Sequence, residues 1–363
     1  MATKQSAGAH MSAPTRAKGR APLFAAVDLG TNNCRLLIAE RSGASFRVVD
    51  SFSRIVRLGE GLAANGELSG DAMDRAVDAL RVCKSKILRQ GVARTRCIAT
   101  QACRAAGNGG EFLARVQDEV GIKLDTISPK DEAKYAVLGS LDLIDQGKDF
   151  ALVVDIGGGS TELSWVDARA AKRRGVAGCA KRPPILGWAS FPIGVVTLSE
   201  AHPDLENGQY DKLVADVRGK FAEHDAANRF GPLFEAGRGH LLGTSGTVTS
   251  LAGVHLNLKK YARSRVDGQW ISFDEAMAAR DRLRVAGVEG RAQEPCIGPE
   301  RADLVLAGCA ILDAVWDLWP SDRLRVADRG LREGVLLSLM NTSKRRRSRR
   351  RKPGGGGSPV TAS

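Results

Sequence analysis

One hairpin signature occurs twice in this chain, 127 residues apart, and no other feature narrows the fold as much. FAAVDLGTNNCRLLIAE at 24–40 and FALVVDIGGGSTELSWVD at 150–167 each read as a buried strand, an Asp-x-Gly step, a turn of small polar residues and a second strand. The pairing of Val27-Asp28-Leu29-Gly30-Thr31 with Val154-Asp155-Ile156-Gly157-Gly158 is an internal repeat, the trace of two domains of one architecture. The boundary is expected near residue 140.

The composition of the turns points to phosphate. Small residues let backbone N–H groups approach an anion closely. Gly30, Thr31, Asn32 and Asn33 supply such donors in the first turn, and Gly157, Gly158, Gly159, Ser160 and Thr161 in the second. A third stretch of the same character, Gly243-Thr244-Ser245-Gly246, follows a short apolar strand. A carboxylate beside phosphate is repelled unless a divalent cation lies between them. Asp28 and Asp155, joined by Glu162, are therefore the candidate Mg²⁺ ligands. A single Asp-x-Gly turn is usually a structural bend; its repetition is what points to function.

Between the hairpins the pattern alternates in the α/β manner. Met73, Ala76, Val77, Leu80, Cys83 and Ile87 fall at helical spacing between Ser69 and Leu88, TRCIAT reads as a strand, and a helix begins near Lys130. Further helices are expected at 209–225, 273–286 and 301–316, and a last one from Leu331 to just before Ser343. The expected domains are 23–140 and 141–342, the second including that closing helix. Disordered basic tails are expected at 1–22 and 343–363.

The 43% apolar fraction is that of a globular protein. The net charge of +13 suggests a polyanion binder until the charges are located: residues 1–22 carry +4, Lys344 to Lys352 carry +8, and the body only +1. Seven cysteines without CxxC or His-interleaved spacing read as reduced core thiols. With no secretion signal or membrane-spanning stretch in the sequence, a cytoplasmic location is expected.

From about Phe24 to Leu339 the chain resembles the exopolyphosphatases and guanosine pentaphosphate phosphohydrolases, relatives of actin, heat-shock chaperone ATPases and sugar kinases. The resemblance is carried, in order, by DLGTNNCRLLI, VRLGEGL, ATQACRAAGNGGEFL, Asp131-Glu132-Ala133, DIGGGSTEL, SFPIGVVTL, GTSGT and DRGLREGVL. It implies two actin-like, ribonuclease H-like α/β domains around an interdomain cleft. It also implies that Glu132 is the general base and that Arg104, with Arg35 as a further candidate, binds phosphate oxygens. Asn33 and Cys34 stand where many members have serine and an aromatic residue, and Asp131 and Lys134 replace a usual Glu and Arg. Longer members carry an additional helical domain beyond the point where this chain stops.

The implied reaction is Mg²⁺-dependent release of the terminal phosphate of inorganic polyphosphate, by a homodimer. Guanosine pentaphosphate is the alternative substrate, since every catalytic group is shared. A noncatalytic regulator that binds polyphosphate or guanosine tetra- or pentaphosphate is the alternative of another class. Two basic features stand apart from the motifs: a loop bearing Arg169, Lys172, Arg173, Arg174, Lys181 and Arg182, and the Lys344–Lys352 run, which would contact polyanions without sequence preference.

Overall fold

The computed structural model describes the backbone of residues 21–43, 45–203 and 205–350, and side chains over the same residues apart from 206, 207 and 342–350. Two mixed sheets organise it. The first comprises β1 (Leu23–Leu29), β2 (Asn33–Ser42), β3 (Ser45–Ile55), β4 (Arg94–Ala99) and β5 (Asp125–Thr126), in the order β3-β2-β1-β4-β5. The second comprises β6 (Phe150–Ile156), β7 (Thr161–Asp167), β8 (Ile185–Phe191), β9 (Gly239–Thr244), β10 (Trp270–Ser272) and β11 (Arg323–Ala327), in the order β10-β11-β9-β6-β7-β8.

The repeat read in the sequence is a repeat of topology. In each sheet an antiparallel meander of three strands begins with the Asp-bearing strand, whose other edge pairs with a parallel strand: β1 with β4, β6 with β9. This is the actin-like, ribonuclease H-like arrangement. β1 and β6 are central and covered on both faces, which is why LFAAVDL and FALVVDI are almost uninterrupted apolar runs. Their aspartates come near the strand ends, where the chain turns.

Two helices meet between the sheets. Ser128 caps the Pro129–Ser140 helix by accepting from Asp131 N at 3.1 Å, with Pro129 preset for the first turn. Nearly every position from Glu132 to Ser140 is buried, because the helix is covered by the second sheet on one side and by the Leu331–Arg350 helix on another. A Cβ at Gly139 would overlap the carbonyl of Gly330, and one at Gly334 that of Tyr135, so the two helices touch backbone to backbone. Position in the sequence assigns the closing helix to the second domain. Its packed residues Val335, Leu336, Leu339 and Met340 instead lie with Phe24, Leu37 and Ile98 of the first sheet.

Other expectations shift locally. The segment read as a basic loop is the Ala168–Cys179 helix: Asp167 caps it by accepting from Ala170 N at 2.7 Å, and Ala, Lys and Arg favour the state. It kinks at Gly175, where φ is 58°. The last helix does not stop before Ser343 but continues to Arg350, since no glycine or proline interrupts that stretch. Residues 1–20 and 351–363 lie outside the described residues, as do the side chains of the Lys344–Lys352 run. All seven cysteines are buried and unbridged. No helix among the described residues is long and apolar enough to cross a membrane.

Candidate active site

Both Asp-x-Gly turns are built alike. Gly30 N donates to Asn33 O at 2.9 Å in one, and Gly157 N to Ser160 O at 2.8 Å in the other. A neighbouring strap then takes up the outward carbonyls. Val56 and Arg57 donate to Asn32 O at 2.9 and 3.1 Å and Gly59 to Thr31 O at 2.9 Å, while Val195 donates to Gly157 O at 3.0 Å and Val196 to Gly158 O at 2.8 Å. The N–H groups of Thr31, Asn32, Gly158 and Gly159 have no acceptor among the described residues. Buried N–H groups do not go unpaired without a reason. Two turns whose carbonyls are occupied and whose N–H groups are free form a cradle for an anion.

The turns face one another. A Cβ on Gly158 would come within 3.0 Å of Thr31 Cβ and 3.1 Å of Asn32 N, and Thr31 donates its hydroxyl to Gln101 Oε1 at 3.1 Å. They flank a cavity of about 810 Å³. Asp28, Gly30, Thr31, Asn32, Asn33 and Arg35 line it from the first domain; Asp155, Gly157, Gly158, Gly159 and Ser160 line it from the second, with Glu132 also at the wall. The third turn contributes Thr244, Ser245 and Gly246. Ser245 precedes the Gly246–His255 helix with φ 98°, a conformation that costs a side-chain-bearing residue on the order of 1–3 kcal/mol. Its buried Oγ has no hydrogen-bond partner among the described residues, and the positive end of the helix lies beside it.

Four of the sequence-derived residues sit elsewhere. Thr161 is fully buried and gives its hydroxyl to Ile193 O at 2.6 Å, which leaves nothing for phosphate. Gly243 is a packing position, where a Cβ would meet Val248 Cγ2 at 2.6 Å. Arg104 lies behind the wall and donates from Nη1 to Glu132 Oε2 at 2.9 Å and to Ile127 O at 2.8 Å. Glu162, 2% exposed, accepts from Ser190 Oγ at 2.8 Å. Glu132, which its position on a helix would suggest is solvated, is 7% exposed.

The acids are held in an environment that disfavours their charge. Burial pushes Asp28 up to about 6 against the pull of Arg35 and Arg332, and burial raises Asp155. Burial and the charge of Asp155 push Glu162 to about 7. Burial, then the charge of Glu162, raise Glu132 well above the ordinary carboxylate range, with Arg104 opposing. A cluster of carboxylates with raised affinity for protons is also one with unmet need for a cation.

The donor set fits one in a particular way. Asp28 Oδ1 is buried without a hydrogen-bond partner among the described residues, and Asp155 is close enough to act on it electrostatically. Among the described residues no three His, Cys, Asp or Glu side chains form a metal-holding group. Asp28 and Asp155 are hard oxygen donors, the chemistry a divalent ion such as Mg²⁺ takes.

Several cavity residues had no role assigned from sequence. Arg301 and Arg332 line it, as does Arg263, whose Nη2 donates to the buried Glu333 at 3.0 Å. Arg329 also lines it, but is committed to Asp267 and Asp142. Three of these side chains, Arg329, Arg332 and Glu333, lie in DRGLREGVL, so the signal was present as a motif match.

The sequence model described as the Ppx/GppA phosphatase family matches residues 37–343. A guanosine-5'-triphosphate,3'-diphosphate pyrophosphatase of Photobacterium profundum is 30% identical, over 88% of this chain and 60% of its own length. The chain thus spans about three fifths of that relative. A crystal structure of the Aquifex aeolicus Ppx/GppA family member superposes with a TM-score of 0.70 at 27% identity, covering 89% of this chain and 98% of the other. An exopolyphosphatase from Cytophaga hutchinsonii shares the fold, with a TM-score of 0.73 at 23% identity over 88% and 98% of the two chains.

Proposed function

Because the chain belongs to the Ppx/GppA phosphatase family, we propose that it is a Mg²⁺-dependent exopolyphosphatase that hydrolyses the terminal phosphate of inorganic polyphosphate, with Glu132 as general base. The observation that carries this reading is the pair of facing turns with free N–H groups, beside a buried glutamate oriented by an arginine.

Phosphoryl transfer to water needs a positioned nucleophile, an in-line leaving group and neutralised equatorial oxygens. The Thr31, Asn32, Gly158 and Gly159 N–H groups, with the helix end at Ser245 and Gly246, hold the terminal phosphate. Arg35 and Arg332 add positive charge at its oxygens. Glu132 orients a water and takes its proton as the water oxygen bonds to phosphorus, and the bridging P–O bond breaks with its electron pair leaving on the shortened chain. Raised proton affinity suits a base working near neutrality, and such help is worth about 10²–10⁴ in rate. Arg104 acts through Glu132, fixing the carboxylate in place. Asp28 and Asp155 would hold the divalent ion, with Glu162 behind them, and it would supply neutralisation of the phosphate oxygens.

The P. profundum relative's name favours guanosine pentaphosphate as a second substrate, bound in the same cavity. A cytoplasmic location and a homodimer belong to the same proposal; sedimentation velocity would measure the assembly. The test of function is orthophosphate release with Mg²⁺ from tripolyphosphate, long-chain polyphosphate and guanosine pentaphosphate. Release from the polyphosphates supports the reading, release from the nucleotide alone moves it to the second substrate, and release from none leaves a binding regulator.

A further inference from the structure

Resting on the polyphosphate reading, we propose that the Ala168–Cys179 helix and the segment that follows it form a second, noncatalytic anchor for the distal part of long polyphosphate chains. Lys172, Arg173, Lys181 and Arg182 are exposed and have no ion-pair partner among the described residues. The two remaining bases of the segment are occupied. Arg169 pairs with Asp149, which also binds Arg238 at 2.9 Å, and Arg174 donates from Nη2 to Gly178 O at 3.0 Å and to Arg182 O at 2.6 Å. That last contact ties the helix to the returning chain, which brings the Lys181-Arg182 pair back beside the helix that carries Lys172 and Arg173. The only acid in the segment, Asp167, is spent capping the helix.

The surface is joined to the catalytic centre by a rigid ruler. β7 and β8 are antiparallel partners, and the end where Glu162 faces Ser190 is the end at the cavity. The opposite end, where Val166 pairs with Ile185, leads directly into the basic helix. Five residues from Glu162 to Asp167 at about 3.3 Å each place the start of the basic helix about 17 Å from Glu162. A three-phosphate substrate seated in the cavity cannot reach that far, whereas a long chain can occupy both places at once. Simultaneous engagement raises effective concentration at the cavity without any new contact there.

A single-stranded nucleic acid is the competing partner. It would use a platform of stacked rings, and residues 168–182 contain no aromatic side chain. Unpaired charge without a stacking platform favours polyphosphate.

The test uses the full chain, with Lys172→Gln, Arg173→Gln, Lys181→Gln and Arg182→Gln combined, and the C-terminal basic run intact in both proteins. The expected result is a roughly tenfold rise in KM for long-chain polyphosphate at low salt with kcat unchanged, and a KM for tripolyphosphate within about twofold. The dependence of log KM on log salt should become shallower by about 2–3 for the long chain, as expected for four lost charges. A variant carrying Arg173→Lys and Arg182→Lys should behave as wild type, which separates charge from fold. An unchanged long-chain KM overturns the anchor, as does an equal change for every substrate. Loss of binding to a single-stranded RNA with long-chain KM preserved overturns it in favour of nucleic acid. If neither protein releases orthophosphate from any substrate, the catalytic reading has failed. Retention of long-chain polyphosphate on filters by Glu132→Gln protein, with and without the four substitutions, then still decides the anchor.

Discussion

Arg104 Nη1 sits 2.9 Å from Glu132 Oε2 while the same nitrogen donates to Ile127 O at 2.8 Å, so the arginine is pinned to the backbone on one side and pins the glutamate on the other. This pair is shielded from solvent, with the two side chains 20% and 10% exposed. Its consequence is positional and electrostatic at once. Arg104→Gln should lower kcat by about 10–100-fold, since a base displaced by a fraction of an ångström works poorly. Arg104 lowers the proton affinity of Glu132, so its loss should move the acid limb of the kcat/KM profile to higher pH. An unchanged acid limb alongside reduced kcat would mean that the arginine serves something other than Glu132.

Gly194 holds the second turn in shape. Its missing Cβ is where the backbone of Gly158 and Gly159 lies, and Val195 and Val196 take the carbonyls of Gly157 and Gly158. Gly194→Ala should therefore push the turn toward Thr31 and close the cradle, at a cost of about 1–3 kcal/mol by overpacking. Urea unfolding should show the lower midpoint, and KM for tripolyphosphate should rise. A stable variant with unaltered KM would show that the turn does not grip substrate.

The same buried acids make stability depend on pH, and under the proposed reading on a divalent cation. Asp28 is raised from 3.8 to about 6 and Glu162 from 4.5 to about 7 on folding, so both favour the neutral form in the native state. Their contribution is fully present below about pH 4 and is lost as pH rises through 6 to 7. In EDTA, this part of the stability should therefore decline between about pH 4 and 7 and stay level above that. If these acids hold Mg²⁺ as proposed, adding it should raise Tm more at pH 8 than at pH 5, because the ionised carboxylates are the ones it would bind. Equal Mg²⁺ shifts at both values would place the ion elsewhere.

The paired hairpins were legible because strand periodicity and turn composition are local properties, and a repeat doubles the signal. What local pattern does not reveal is where a donor is spent. Thr161 looks like any phosphate-turn hydroxyl until Ile193, 32 residues on, is brought beside it. Gly243 looks like a cradle glycine until Val248 fills the space above it. Arg104 reads as a phosphate ligand from its motif, yet reaches Glu132 instead. The basic segment lacked an apolar stripe wide enough to show a helix, because only Ala168, Ala171 and Cys179 of it are buried. The closing helix follows the second domain in sequence and packs on the first sheet, a choice made by Phe24, Leu37 and Ile98 far from it in the chain.

Catalysis as proposed depends on the carboxylate of Glu132, and Glu132→Gln tests it with almost no change in shape. Orthophosphate release from tripolyphosphate in Mg²⁺ should fall by about 10²–10⁴, with tripolyphosphate binding measured by calorimetry preserved within a few-fold. Retention of most of the turnover would contradict the assignment of Glu132 as the base.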